Sequence, residues 1–268
     1  MCYTTPPLDR RLELLGRPRL RLRFTTDRPR AQLAVRLNAV SSDGSSTVLT
    51  RGMLNLTHHS SHSQPRPLDP GRFYDATIEL QSLGQVVEAG QRLRLALSTT
   101  YWPWLWPSPE PATVTIAAGG RCVLELPVRH PRPDDGAGPC LHPDAAAPLP
   151  HRVTRVRSGE RTVRRDGPIT RLTHLPEDIL LELDSDTQLD WSGPDVYTIR
   201  DDDPLSATIE SNRRVSVRRG AWDVEVDVSS TMRSDRDAFF VDVELVARSR
   251  AERVAHREWH FTIPRDLV

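Results

Sequence analysis

The sequence predicts an all-β chain built from antiparallel sheets, and three observations predict it. Apolar residues alternate with polar ones at period two along most of the 268 residues. No long stretch keeps apolar residues at helical spacing. Turn signals punctuate the alternating runs, among them Asp43-Gly44, Asp69-Pro70-Gly71 and Gly220 within Arg218–Trp222.

In order, residues 10–24 read as strand on Leu12, Leu14, Leu20, Leu22 and Phe24, and residues 31–40 repeat the pattern with Leu33, Val35 and Leu37. Ser41–Ser46 is a hairpin turn on Asp43-Gly44, and Val48 to Leu56 returns. Thr57–Gly71 reads as a long polar loop; residues 72–80, 86–97 and 123–128 read as strands. Residues 129–150 are rich in proline with little that could pack, which reads as a linker. From His151 the alternation resumes, clearest in Ala207–Arg218, Trp222–Ser230, Phe239–Val246 and a last strand through Trp259, Phe261 and Ile263. In Trp222–Val228 the apolar residues face one way and Asp223, Glu225 and Asp227 the other, as in a sheet with one wet side.

Composition limits function. Thirty-six basic and 36 acidic residues give zero net charge, and 37% of the residues are hydrophobic, the mark of a globular chain. That balance gives no support for binding nucleic acid or an anionic membrane, which call for a basic excess. No apolar run is long enough to span a bilayer as a helix. Every basic residue is arginine, with no lysine, as expected of coding bias in a genome rich in G and C. The N-terminus lacks the layout of a signal peptide, and Cys2, Cys122 and Cys140 have no paired spacing. A cytoplasmic location with free thiols is expected.

One stretch stands out. Tyr101–Pro111 (YWPWLWPSPEP) carries three of the six tryptophans and four prolines. The prolines exclude a helix and favour an extended connection between two strands. Tyr101, Trp102, Trp104 and Trp106 admit two readings: they cover the open end of a sandwich core, or they form a docking or ligand surface.

Other constellations read as structural. His58, His59 and His62 sit on the polar loop without a complete ligand set, and Cys122, Cys140, His130 and His142 match no zinc spacing. Asn55-Leu56-Thr57 fits a glycosylation sequon but reads as a strand end. Asp201, Asp202 and Asp203 read as a solvated turn. Arg17, Arg19, Arg21 and Arg23 are expected to pair with acidic groups on neighbouring strands. No metal, cofactor or catalytic residue is assigned.

Four segments in order carry a family resemblance: CYTTPPLDRRLELLGRPRLRLRF, the AVRLNAVSSDGSSTVLTRGMLNL hairpin, LDPGRFYDATIEL and AGQRLRLALSTTYWPW. Over residues 2–128 they resemble the C-terminal β-sandwich of the X-prolyl dipeptidyl-peptidase and cocaine-esterase (CocE/NonD) hydrolases. The tail from His151 resembles an extra β region of a bacterial branch of that family. The resemblance implies a jelly roll at 1–128, truncated because the family's roll starts a strand or two before Cys2. A linker at 129–150 and an antiparallel meander at 151–268 follow. Met1 is then expected to be an internal start, a fragment boundary or the start of a separate subunit.

The family's catalytic serine, aspartate and histidine lie on a preceding α/β-hydrolase domain. This sequence has neither the alternating strands and helices nor a Gly-x-Ser-x-Gly elbow. The resemblance therefore implies a non-catalytic accessory region that packs on a hydrolase domain or subunit and shapes its substrate pocket, with self-association as a further expectation. A stand-alone jelly-roll module for a carbohydrate-like ligand is the alternative, and it requires exposed, roughly coplanar indoles. A gene remnant without function is the third reading.

Overall fold

The computed structural model describes residues 1–117, 119–130, 133, 151–183 and 186–268. It is β throughout apart from one 3₁₀ turn among the described residues. Contacts divide it into two compact units, Met1–Cys140 with Leu267–Val268, and Leu141–Asp266.

The first unit holds β1 (Cys2–Thr4), β2 (Leu12–Gly16), β3 (Arg19–Thr26), β4 (Gln32–Val40), β5 (Ser46–Asn55), the 3₁₀ turn Leu56–His58, β6 (Tyr74–Glu79), β7 (Leu83–Val87), β8 (Arg92–Ser98), β9 (Val114–Ile116), β10 (Val123–Glu125) and β11 (Val128–Arg129). They form three antiparallel sheets in the orders β1-β8-β4-β5, β10-β3-β6 and β11-β2-β7, with β9 pairing the end of β3. Alternation places Leu20, Leu22 and Phe24 of β3 and Ala76 and Ile78 of β6 in one core with Val35 and Leu37 of β4 and Leu93, Leu95 and Leu97 of β8. This is a sandwich core, two inner faces interdigitating.

The strand expected at 10–24 is two strands. Pro18 lacks an N–H and cannot continue the ladder, and its carbonyl instead accepts from Leu80 N–H at 2.9 Å. Residues 86–97 are likewise interrupted by a turn, where Gln91 N–H donates to the Glu88 carbonyl at 3.2 Å. Pro127 separates β10 from β11. At the hairpin turn Gly44 N–H donates to the Ser41 carbonyl at 3.0 Å. Of the linker expected at 129–150, Arg129 closes β11 and pairs with Glu13, and nearly all the rest lies outside the described residues.

The second unit is one ten-stranded antiparallel sheet. Its strands are β12 (His151–Arg157), β13 (Glu160–Asp166), β14 (Ile169–Leu175), β15 (Asp178–Leu183), β16 (Thr187–Ser192), β17 (Asp195–Arg200), β18 (Asp203–Arg219), β19 (Trp222–Ser234), β20 (Ala238–Ser249) and β21 (Glu252–Pro264). One edge of β18 is shared by β16 and β17, its other edge pairs β19, and β20 and β21 follow as successive hairpins. Opposite residues share a face, so Val215 and Val217 of β18 lie with Val224, Val226 and Val228 of β19, Val243 and Leu245 of β20, and Trp259 and Phe261 of β21.

Candidate functional site

The aromatic stretch folds back on itself. Leu105 N–H donates to the Tyr101 carbonyl at 2.9 Å, the two residues form an isolated bridge, and the Trp102–Pro103 peptide is cis. The extended connection expected here is corrected over 101–105, where the chain makes a tight reversal. Proline excludes a helix but is at home in turns, so four prolines did not require extension. The turn is tied to the sheet by Gln32, only 5% exposed, whose Nε2 donates to the Trp106 carbonyl at 2.9 Å.

The reversal brings Tyr101, Trp102, Trp104 and Trp106 together but gives them different tasks. Trp102 and Trp106 pack edge to face, centroids 5.2 Å apart and planes at 85°. Trp104 stays 52% exposed with the Arg51 guanidinium 3.6 Å from its ring centre, and Arg36 lies 5.2 Å from the Tyr101 ring. Arg36 and Arg51 are directly opposite on β4 and β5. Like charges so placed repel. Each is met by an electron-rich ring of the same turn, a favourable cation–π arrangement. The turn thus covers a charged patch on β4 and β5, with Trp104 outermost. The Trp102 and Trp106 indoles are nearly perpendicular rather than coplanar, unlike the paired faces expected of a carbohydrate module.

Arg36 and Arg51 were missed by sequence reasoning: the ladder begins at Val40 and Ser46, and a register shift between Leu37 and Asn38, which the Asp43-Gly44 turn signal does not announce, brings Arg36 opposite Arg51.

The other constellations are structural. Arg17 and Arg19 both pair with Glu79, at 2.7 and 3.2 Å, Arg21 pairs with Glu125 and Arg23 with Asp75 at 3.8 Å. Both arginines hold the Glu79 carboxyl below its ordinary value through hydrogen bonds. His59 Nδ1 donates to the Leu56 carbonyl at 3.1 Å and the ring packs on Tyr74 and Phe24, while the His58 ring lies near that of His62. Asn55 caps the 3₁₀ turn by accepting from Thr57 N–H and Oγ1. Cys122 lines an apolar hollow of about 460 Å³ with Leu20, Leu95 and Leu124, and burial pushes its thiol up. Cys140 and His142 lie outside the described residues.

Among the described residues one group could hold a metal ion: Glu244, His256 and Glu258, whose ligand atoms lie within 4.8 Å of one another. His256 Nε2 already bridges both carboxylates, at 3.1 and 3.3 Å, on the open surface. In the same sheet Asp195 accepts from Arg213 Nη2 at 2.8 Å to each carboxylate oxygen and from Ser211 Oγ at 2.7 Å. Burial works to raise that carboxyl, but these bonds outweigh it and hold it below its ordinary value.

Comparison with known proteins bears on the first unit. Residues 1–132 match the family described as the X-Pro dipeptidyl-peptidase C-terminal non-catalytic domain. A Rhodopirellula baltica protein bearing the name Xaa-Pro dipeptidyl-peptidase is 37% identical over 101 residues, which is 35% of this chain and 16% of that protein. Among solved structures, an α-amino acid ester hydrolase aligns with TM-score 0.45 and 19% identity over 48% of this chain and 25% of its own. A CocE/NonD family hydrolase from Staphylococcus aureus aligns with TM-score 0.41 and 17% identity over 48% and 30%. The chain spans only a small part of the length of each. Residues 1–132, just under half of this chain, therefore match the non-catalytic C-terminal domain of X-Pro dipeptidyl-peptidase-like proteins.

Proposed function

We propose that the chain is an accessory region of a CocE/NonD-type serine hydrolase: it packs on an α/β-hydrolase domain and shapes that domain's substrate pocket. The observation that carries this reading is the match of residues 1–132 to a domain defined as non-catalytic and C-terminal. The exposed Trp104, held over Arg51 in a rigid turn, supports a docking role for this face, because a large aromatic side chain that loses little freedom on binding suits an interface anchor. The reading includes a cytoplasmic location, which cell fractionation tests.

The experiment is ester and Xaa-Pro peptide turnover by the purified chain, alone and mixed with a purified α/β-hydrolase domain of the CocE/NonD type from the same genome. Turnover that needs both, or that rises when the chain is added, is expected. Trp104→Ala should then weaken the association about tenfold, equivalent to about 1.4 kcal/mol. Turnover by the chain alone, or no effect of the chain on the hydrolase, overturns the proposal.

A further inference from the structure

The far end of the second unit is an unfinished sheet. Among the described residues β21 pairs only with β20, leaving the outer backbone groups of a 13-residue strand without a ladder. Such an edge is a template for another strand, and proteins usually blunt it with charge, proline or a bulge. β13, another terminal strand of the sheet, follows that rule: Arg161, Arg164 and Arg165 load its seven residues. β21 has a register irregularity at Ala247/Arg248 and Pro264 at its end, and carries one adjacent pair of opposite charges, Arg257 and Glu258, in between. Between the irregularity and the proline runs His256–Ile263, without proline or glycine, rich in residues that favour strands. Trp259, Phe261 and Ile263 on its apolar face are 40%, 49% and 50% exposed.

We infer that β21 pairs antiparallel with β21 of a second copy of this chain, about a two-fold axis at Trp259, joining two ten-stranded sheets edge to edge. Side-chain chemistry favours a second copy as the occupant and disfavours the registers that oppose like charges. In an antiparallel self-pair centred on a residue, opposite side chains share a face and the apolar surface continues across the seam. Centring on Arg257 opposes two arginines and centring on Glu258 opposes two glutamates, both unfavourable. Centring on Trp259 stacks the indole against its copy, sets Glu258 opposite His260 of the second copy, Arg257 opposite Phe261 and Ala255 opposite Ile263. That register sets an acid opposite a histidine, an arginine opposite a ring and apolar opposite apolar, with His256 opposite Thr262 and Val254 opposite Pro264 in the remaining rows. This inference stands independently of the hydrolase reading.

The test is cysteine cross-linking in the full chain, with Cys2, Cys122 and Cys140 replaced by serine or alanine, beside sedimentation of the unaltered protein. A dimer is expected. Trp259→Cys should form a disulfide dimer under mild oxidation, since self-opposed Cα atoms lie about 5 Å apart. Arg257→Cys should not, because its two copies sit about 14 Å apart along the strands, yet mixed with Phe261→Cys it should cross-link. Trp259→Arg, which opposes two charges at the axis, should weaken the dimer at least tenfold while its β circular dichroism is retained. A monomer, or a dimer whose cross-links form equally at 257 and 259, overturns the inference.

Discussion

At Gly52 the sandwich has no room for a side chain: a Cβ there would lie 2.7 Å from the Glu79 carbonyl oxygen and 3.1 Å from the Leu80 Cα. Both obstacles are backbone and cannot swing aside, so Gly52→Ala should lower stability by about 1–3 kcal/mol, read from the denaturant midpoint. Arg51 acts differently. Its alanine variant should keep the fold, lose about 0.5–1 kcal/mol of cation–π attraction and leave the Trp104 indole more mobile, which fluorescence anisotropy reports. Asp195 links stability to pH. Its folded carboxyl lies below the ordinary 3.8, so its contribution is complete above that value and is lost as pH falls through the lower folded value. The second unit should therefore weaken on acidification below about pH 4, and Asp195→Asn should flatten that part of the stability profile; an unchanged profile refutes this.

Strands and turns differ in how plainly the sequence announces them. β18 through β21 were legible because their alternation is strict and a Gly220 turn punctuates it. Gly220 adopts φ +54°, which a Cβ resists, so Gly220→Ala should cost about 1 kcal/mol in urea unfolding. β13 and β16 were not legible. The first is Glu-Arg-Thr-Val-Arg-Arg-Asp, with a single apolar residue and no alternation to detect; among the described residues it is held by a neighbour on one side only. The strand expected at 10–24 failed for the opposite reason: the alternation persists across Pro18, but the ladder does not. In the Tyr101–Leu105 turn, the residues that matter were named from sequence, whereas their division of labour depends on the β4–β5 register, set far along the chain. Aromatic content pointed to the place and only the pairing explained it.

For the whole molecule, the sequence established an all-β chain in which a family domain covers the first half, and the structure gives each half its own plan. In the first unit, strands far apart in sequence must meet: Cys2 pairs with Ala96, and Arg21 with Val123. In the second, β18, β19, β20 and β21 join as consecutive hairpins, each strand beside the one just before it. This difference sets an order in time. Closing short loops costs little entropy, and chains rich in local contacts fold faster than those that must first bring distant segments together. The hairpin end should therefore acquire order early, while the sandwich waits on encounters across a hundred residues of chain. Pulsed hydrogen exchange during refolding should find amides of β19 and β20 protected before those of β1 and β8. Made on a ribosome, the first half emerges first yet cannot close until β10 is out, so its exposed edges are the part of the nascent chain most in need of shelter.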